Sequence, residues 1–306
     1  MATANPPADQ TPPFRAGFVA VVGKPNVGKS TLVNYFVGRK VSIVSPRPQT
    51  TRRRILGILN RPDAQVVLVD TPGIHKPKYK LGERMVEAAV GALSDADLIL
   101  FVVDVSKPPS AEDRHIAHLL AQEAHAPILL VLNKMDKLPP EKVKPHTEAY
   151  WQLVPHHADW MMTNAVKGHN CDKLLEMILR YLPESLPYFP QEQITDQPER
   201  LFAAEIIREK ALLCTYQEVP HGLGVAIERW EERPNGVLYI AATLYVERET
   251  HKGIVIGEGG RMLKKIGQTA RQELELWLGR KLFLELWVKV RENWRNHPGF
   301  FQQLES

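Results

Sequence analysis

The chain has 306 residues, enough for two domains that each bury a core of their own. Its net charge of +4 is too small to indicate nucleic-acid binding by bulk charge alone. Two cysteines, Cys171 and Cys214, argue against a disulfide framework or a zinc site, and no apolar run reaches the roughly 20 residues needed to cross a bilayer.

The chain is expected to begin with a disordered tail over residues 1–14. Residues Met1–Pro13 are rich in Ala, Pro and Thr, and they lack the basic start and the apolar core of a signal peptide. The cysteine usage is typical of a protein in a reducing cytosol.

A phosphate-binding loop is predicted directly after the first apolar strand, Phe18–Val22. Residues 23–30 read G-x-x-x-x-G-K-S, and a strand before and a helix after are the context that a P-loop requires. The loop N–H groups would face an anion, Lys29 would reach the β- and γ-phosphates, and Ser30 would hold Mg²⁺. The predicted nucleotide-binding residues here are Gly23, Lys24, Pro25, Asn26, Val27, Gly28, Lys29, Ser30 and Thr31.

The next motif follows a predicted antiparallel hairpin of residues 55–60 and 65–70. Asp70 would lie near Mg²⁺, and the Gly73 N–H would face the γ-phosphate. Ras-type enzymes place a water-orienting glutamine just after this motif, where this chain has Ile74, followed by His75, which is expected to be an exposed loop residue. The predicted nucleotide-binding residues here are Asp70, Thr71, Pro72, Gly73 and Ile74.

Two later motifs, each after an apolar strand, predict recognition of guanine. Asp136 would accept both the N1–H and the N2 amine of guanine, a charge-assisted bidentate contact that adenine cannot make. Asn133 would brace this loop, the Lys134 stem would cover the base, and the Ala165 N–H would meet guanine O6. The predicted residues are Asn133, Lys134, Met135, Asp136, Asn164, Ala165 and Val166. All four motifs follow strand ends, where ligands bind in open α/β sheets.

The second half of the chain predicts an RNA-binding module. A Pro-rich linker, residues 184–198, precedes a helix from Glu199 to about Gln217, two strands, a helix pair, a last strand and a helical tail. The helix pair flanks the G-x-x-G sequence of residues 257–260, with which a KH module clamps single-stranded nucleotides. The predicted RNA-binding residues are Gly257, Glu258, Gly259, Gly260, Arg261, Lys264, Lys265 and Arg271.

Two features are open to more than one interpretation. Residues 39–54 contain six Lys and Arg residues and no acid, which fits either RNA binding or a solvated face. Trp277 and Trp287 could stack bases, although packing in the core is the expected role for both.

Together these motifs resemble the Era family of bacterial GTPases, which carry a C-terminal type II KH domain. The resemblance runs from about Phe14 to about Pro298 and rests on residues 23–30, 48–52, 70–73, 133–136, 219–221, 247–260 and 287–295. The alternating strand and helix patterns predict a GTPase domain, residues 15–183, with a mostly parallel six-stranded sheet and helices on both faces. An α+β type II KH domain, residues 199–306, would follow the linker.

The resemblance implies a function. It implies a switch that hydrolyses GTP to GDP with Mg²⁺ bound, binds the 3′ end of small-subunit ribosomal RNA and assists assembly of the small ribosomal subunit. A monomer in the cytoplasm is expected, and contact with the inner face of the cell membrane is left open.

The resemblance also implies roles for individual residues. Thr51 would be a Mg²⁺ ligand with Ser30 and Asp70, because related GTPases keep the threonine immediately before an arginine. Lys29, Thr51 and Gly73 are therefore the residues expected to stabilise phosphoryl transfer.

Three positions bear on how far the resemblance extends. Asn26 is similar to the P-loop asparagine of potassium-dependent GTPases, in which K⁺ replaces an arginine finger, so K⁺ is a candidate cofactor. Intrinsic hydrolysis should be slow, because Ile74 can neither donate nor accept a hydrogen bond at the position of the Ras glutamine. The family usually has serine at Asn164 and lysine at Glu258. The alternatives are a potassium-dependent tRNA-modification-type GTPase, which carries a different appended domain, or another GTP-regulated RNA-binding factor.

Overall fold

The computed structural model describes residues 13–215 and 219–305. Most of the predicted tail lies outside the described residues, and its last residue is held in place because Ser185 N–H donates to the Phe14 carbonyl at 3.1 Å. Within the described residues, no helix is both long enough and apolar enough to span a bilayer.

The first half alternates strands and helices. The strands are β1 (Arg15–Val22), β2 (Ile55–Asn60), β3 (Ala64–Asp70), β4 (Leu98–Asp104), β5 (Ile128–Asn133) and β6 (Asp159–Thr163). The helices are α1 (Lys29–Val37), α2 (Lys80–Ser94), α3 (Ala111–Glu123), α4 (Val143–Leu153) and α5 (Cys171–Tyr181).

These strands form one six-stranded sheet in the order β2-β3-β1-β4-β5-β6. Every neighbouring pair is parallel except β2 and β3, which confirms the predicted hairpin. Because β1, β3, β4, β5 and β6 run in the same direction, their carboxyl ends meet at one edge, where all four predicted motifs begin.

Helices cover both faces of this sheet, as the sequence predicts. Residues of α1 and α5 pack with one set of buried strand side chains, and residues of α2, α3 and α4 pack with the other. All seven residues of β3 are buried, which explains its nearly continuous apolar sequence. Each fully buried Val or Leu contributes roughly 1.5–3 kcal/mol of transfer free energy.

The second half is an α+β unit. It consists of α6 (Glu199–Cys214), β7 (Gly224–Glu232), β8 (Leu238–Val246), α7 (Glu249–Ile256), α8 (Arg261–Leu278), β9 (Leu282–Val290) and α9 (Pro298–Glu305). The sheet order is β7-β8-β9, with β7 antiparallel and β9 parallel to β8. The predicted first helix ends at Cys214, and Gln217 lies outside the described residues.

The linker is packed against the edge of the larger sheet. Ile58 N–H donates to the Ile194 carbonyl at 2.9 Å, and Leu56 N–H donates to Asp196 Oδ1 at 3.1 Å. The linker is therefore held to β2 by hydrogen bonds.

The two tryptophans differ. Trp277 stacks on Phe202 with 4.2 Å between ring centroids, which confirms its expected core role. The same expectation is wrong for Trp287, whose side chain is 58% exposed. On β9 the even-numbered residues face α6 and α8, so Trp287 lies on the opposite face of the small sheet.

Candidate functional site

A cavity of about 580 Å³ lies at the carboxyl edge of the large sheet and brings together residues from all four predicted motifs. The predicted residues that line it are Pro25, Asn26, Gly28, Lys29, Ser30, Thr31, Thr51, Gly73, Asn133, Lys134, Asp136, Asn164, Ala165 and Val166. Sequence analysis missed part of the wall, namely Ile43, Val44, Ser45, Pro46, Gln49, Thr50, Lys137 and Lys167.

The P-loop glycine before α1 is required by a close approach. Gly28 has φ 106°, and a Cβ there would lie 2.3 Å from Asn133 Nδ2. The same Asn133 amide donates to the Val27 carbonyl at 2.7 Å, so the loop before α1 and the end of β5 are joined directly.

Lys29 is buried at the first turn of α1 with its ammonium group turned onto its own loop. Lys29 Nζ lies 3.1 Å from the carbonyl oxygens of both Gly23 and Lys24. Burial lowers the pKa of Lys29 to about 8, and the charge of Asp70 opposes that shift only in part. An anionic ligand in the cavity would provide the counter-charge that this ammonium lacks.

Three oxygen-bearing side chains meet beside Lys29. Ser30 Oγ donates to Asp70 Oδ2 at 2.7 Å and lies 3.0 Å from Thr51 Oγ1. Asp70 is fully buried, and its Oδ1 has no hydrogen-bond partner among the described residues. Burial raises the pKa of Asp70. Hydroxyl and carboxylate oxygens fit a hard divalent cation such as Mg²⁺.

Thr51 is the threonine that reaches this cluster. The Thr50 hydroxyl donates to the Arg47 carbonyl at 2.7 Å and lies 2.9 Å from Ser45 Oγ. The geometry therefore favours the predicted choice of Thr51 over Thr50.

The opposite end of the cavity is braced by two asparagines. Asn133 Oδ1 accepts from Thr163 Oγ1 at 3.1 Å and from Ala165 N–H at 3.0 Å. The Ala165 N–H, predicted to meet guanine O6, is thus directed at Asn133 in this structure. Asn164 Oδ1 accepts from the N–H groups of Val166 and Lys167, both at 3.1 Å, so its side chain supports the loop.

Several predicted residues do not line the cavity, namely Gly23, Lys24, Val27, Asp70, Thr71, Pro72, Ile74 and Met135. Lys24 Nζ lies 2.6 Å from Asp113 Oδ2 on α3. The Thr71 hydroxyl donates to the Val21 carbonyl at 2.7 Å. Ile74 packs in the core, as its apolar side chain requires, and contributes no polar group to the cavity.

The expectation of an exposed His75 is wrong. The ring is half-buried, with Nδ1 2.8 Å from the Gly73 carbonyl and Nε2 2.8 Å from Gln49 Nε2. These contacts connect the loop after β3 with the cavity wall.

The basic segment of residues 39–54 is neither a solvated face nor a free basic surface. Ile43 is 2% exposed and belongs to the core cluster of the second domain. Val44 N–H donates to Glu209 Oε1 at 2.8 Å, and Arg52 donates to the Leu223 carbonyl at 2.8 Å. The segment therefore has one side on the cavity and the other on the second domain.

A separate groove of about 540 Å³ lies beside the G-x-x-G loop. Of the predicted RNA-binding residues, Gly260, Lys264 and Arg271 line it, and the aromatic ring of Phe283 closes it on the β9 side. Gly260 has φ 77° at the start of α8, and a Cβ there would meet open space. The loop backbone is therefore accessible to a ligand at the N-terminus of α8.

The remaining predicted RNA-binding residues lie outside the groove wall, namely Gly257, Glu258, Gly259, Arg261 and Lys265. Arg261 forms an ion pair with Glu258, and both side chains are exposed. Glu258 thus offsets the positive charge of Arg261, one of the predicted RNA-binding residues.

Two family profiles match this chain. Residues 18–134 match the family described as 50S ribosome-binding GTPase, and residues 218–295 match the KH domain. These ranges fall in the larger and the smaller domain, respectively.

Relatives that align with nearly the whole chain are consistent with both profile matches. The chain is 46% identical to GTPase Era of Heliobacterium modesticaldum, over 95% of this chain and 99% of that one. A solved structure of Era with MgGDPNP and nucleotides 1506–1542 of 16S ribosomal RNA is 45% identical, covers 95% of this chain and 98% of that one, and superposes with a TM-score of 0.91. A variant of Aquifex aeolicus Era bound to GDP and AlF₄⁻ is 44% identical, covers 95% and 99%, and has the same TM-score.

The P-loop GTPase fold, the KH domain that follows it and the near-complete alignment with Era proteins lead to one conclusion: the chain belongs to the Era family of GTPases.

Proposed function

We propose that the protein is a GTP-dependent switch that binds the 3′ end of small-subunit ribosomal RNA and assists assembly of the small ribosomal subunit. The observation that carries this proposal is the presence, in one chain, of the four-motif cavity and the G-x-x-G groove. The Era structure with MgGDPNP and 16S ribosomal RNA supports the pairing of these two ligands.

The cavity can orient a guanine nucleotide along its length. The base would lie at the end formed by Asn133, Lys134 and Asp136, with the Asp136 carboxylate accepting from N1–H and the N2 amine. The phosphates would lie at the α1 N-terminus, where loop N–H groups and the helix dipole favour negative charge.

Hydrolysis would depend mainly on charge neutralisation. Lys29 would exchange its two carbonyl contacts for the β- and γ-phosphate oxygens, and the Gly73 N–H would donate to the γ-phosphate. Ser30 and Thr51 would hold Mg²⁺, with Asp70 behind them. When bound, Mg²⁺ neutralises charge that develops on the phosphate oxygens.

No residue of this chain is assigned to orient the attacking water. Ile74 packs in the core at the Ras glutamine position, so a slow intrinsic rate is expected. Asn26 lines the cavity and donates its amide N–H to the Pro46 carbonyl at 2.8 Å. Its amide oxygen is a candidate ligand for K⁺, which would add positive charge near the transferred phosphoryl group.

RNA would bind across the smaller domain. A single strand would pass over the G-x-x-G backbone, with Lys264 and Arg271 contacting its phosphates. Because Glu258 pairs with Arg261 in the adjoining loop and offsets its charge, shaped contacts would contribute more than bulk charge.

The same proposal covers organisation and location. We propose a GTPase domain of residues 15–183, a linker of residues 184–198 and a KH domain of residues 199–306. We also propose that the protein acts as a monomer. It would be located in the cytoplasm, because ribosomal RNA is its proposed partner. The tRNA-modification alternative is not favoured, since those enzymes carry a different appended domain and this chain matches the KH domain.

Crosslinking and sequencing of bound RNA, with GDP and with a GTP analogue, test this proposal. We expect reads to concentrate at the 3′ end of small-subunit ribosomal RNA and to be more abundant with the analogue. Enrichment of tRNA, or reads spread evenly over ribosomal RNA, would overturn the choice of partner.

A further inference from the structure

Asp104, the last residue of β4, holds the ammonium group of Lys134. Lys134 Nζ lies 2.8 Å from Asp104 Oδ2. The side chains are 25% exposed for Lys134 and 13% exposed for Asp104, so water screens this pair less than a surface pair. In the parallel pairing of β4 and β5, Asp104 lies opposite Asn133, and the sheet register itself brings the carboxylate beside the Lys134 loop.

Asp104 is fixed from its other side. Its Oδ1 accepts from Ser106 N–H at 3.2 Å and from Ser106 Oγ at 2.5 Å. Burial alone would raise the pKa of Asp104, but the hydrogen bonds from Lys134 and Ser106 hold that pKa below its usual value. Since one carboxylate oxygen serves Ser106 and the other serves Lys134, rotation of the carboxylate would break a contact.

Lys134 is the partner whose position matters for a ligand, because it lines the cavity while Asp104 does not. A free lysine side chain samples many rotamers. Anchoring the ammonium group restricts the four-carbon stem to the cavity wall beside the site proposed for the base.

We propose that Asp104 is a positioning residue for guanine-nucleotide binding: it tethers the Lys134 ammonium group so that the alkyl stem covers the face of the base. The inference rests on the proposed nucleotide site. The proposed role of Asp104 differs from that of Asp136. Asp136 would bind the edge of the base, including the N2 amine, whereas Asp104 would hold Lys134 against the face of the ring.

The test is Asp104→Asn, which keeps the shape of the side chain and removes its charge. GDP and IDP differ only in the N2 amine, so the loss of affinity should be the same for both, about tenfold. The turnover number for GTP should be unchanged, since the phosphate end is not touched. Asp97→Asn is the matched control. Asp97 immediately precedes β4, at the end of the strand opposite Asp104, and it accepts from Phe18 N–H at 2.7 Å. Nucleotide affinity of this variant should remain that of the parent protein.

A double-mutant cycle tests the route through lysine. Lys134→Met keeps an unbranched apolar stem and removes the ammonium group, so adding Asp104→Asn to it should cause no further loss. Unchanged GDP affinity in Asp104→Asn, a larger loss for GDP than for IDP, or a full effect in the Lys134→Met background would each overturn the positioning role. Failure of the parent protein to bind GDP would instead overturn the proposed nucleotide site.

Discussion

The side chain of Arg208, which is buried in α6, donates a hydrogen bond to the backbone carbonyl of Thr50. Thr50 immediately precedes Thr51, the proposed Mg²⁺ ligand. The same guanidinium donates to Glu205 Oε1 at 3.0 Å, which fixes its orientation. An arginine of the second domain therefore holds the backbone beside the proposed metal site, and movement of Thr51 would be transmitted to α6.

Removing this contact should loosen the cavity wall. We expect Arg208→Ala to lower the free energy of unfolding by about 3 kcal/mol, because Glu205 loses its buried partner, and to accelerate release of GDP. Stopped-flow displacement of a fluorescent GDP, at a temperature where circular dichroism shows a folded protein, measures that rate.

Arg200→Ala is the matched control for this change. Arg200 lies on the same helix but donates to the Ile227 carbonyl at 2.6 Å, within the second domain. GDP release from this variant should be unchanged. Equal release rates from both variants would mean that the Arg208 contact does not restrain the cavity.

Specificity for the base should depend on Asp136. We expect Asp136→Asn to weaken GDP binding about 100-fold and to improve binding of XDP, because the amide N–H can donate to the xanthine O2 that replaces the amine. Competition against a fluorescent nucleotide measures both affinities. Asp95→Asn makes the same charge change outside the cavity and should leave them unaltered. Parent protein that binds ADP as tightly as GDP would contradict this assignment.

Nucleotide affinity should fall as the pH rises through about 8. In the free protein burial lowers the pKa of Lys29 to about 8, and phosphate groups beside it would raise that pKa. Below about pH 8 Lys29 is protonated before and after binding, whereas above it binding requires uptake of a proton. The affinity should then decrease by up to about tenfold per pH unit.

GMP provides the control for this pH dependence, since it contains the same base but lacks the β-phosphate that Lys29 would reach. Isothermal titration of GDP and of competing GMP across this pH range separates the two. A parallel fall for both nucleotides would show that titration of Lys29 is not the cause.

A monovalent cation should affect the rate of hydrolysis. If Asn26 helps to hold K⁺, replacing Na⁺ by K⁺ should increase the rate of phosphate release, and Asn26→Asp should change that response. Equal rates in the two salts would exclude this role of K⁺ and leave the GTPase assignment unaffected.

The order of the motifs along the chain was sufficient to predict the nucleotide cavity, because each motif is a short continuous segment. Each motif directly follows a buried strand, and parallel strands necessarily bring their carboxyl ends to one edge. The P-loop spacing and the hairpin before Asp70 are similarly local, and both elements form as predicted.

The features that sequence analysis missed depend on distant contacts. The partner of Lys24 is Asp113 on α3, and no local pattern relates the two. Trp287 is an exception, because alternation along β9 places it on the same face as Glu285 and Lys289 and so already indicated its exposure. The basic segment of residues 39–54 packs on α6 only because the two domains dock.

The central claim is that the bound guanine nucleotide controls the affinity for RNA. Measuring RNA affinity in each nucleotide state tests this claim most directly. The negative control should alter the G-x-x-G loop without distorting it. Gly257 is unsuitable, since its φ of 71° and a Cβ only 2.7 Å from Met262 Cβ would strain any side chain. Gly259 and Gly260 have φ 59° and 77° with open space around them, a conformation that Asp tolerates.

The decisive measurement is fluorescence anisotropy of a single-stranded oligonucleotide from the 3′ end of small-subunit ribosomal RNA, with GDP and with a GTP analogue. The parent protein should bind the RNA more tightly with the analogue. Gly259→Asp/Gly260→Asp should lose RNA binding, because bulk and negative charge would face the phosphates, while its GTP affinity stays the same. Equal RNA affinity in both nucleotide states, or undiminished RNA binding by the double variant, would contradict a nucleotide-controlled KH groove.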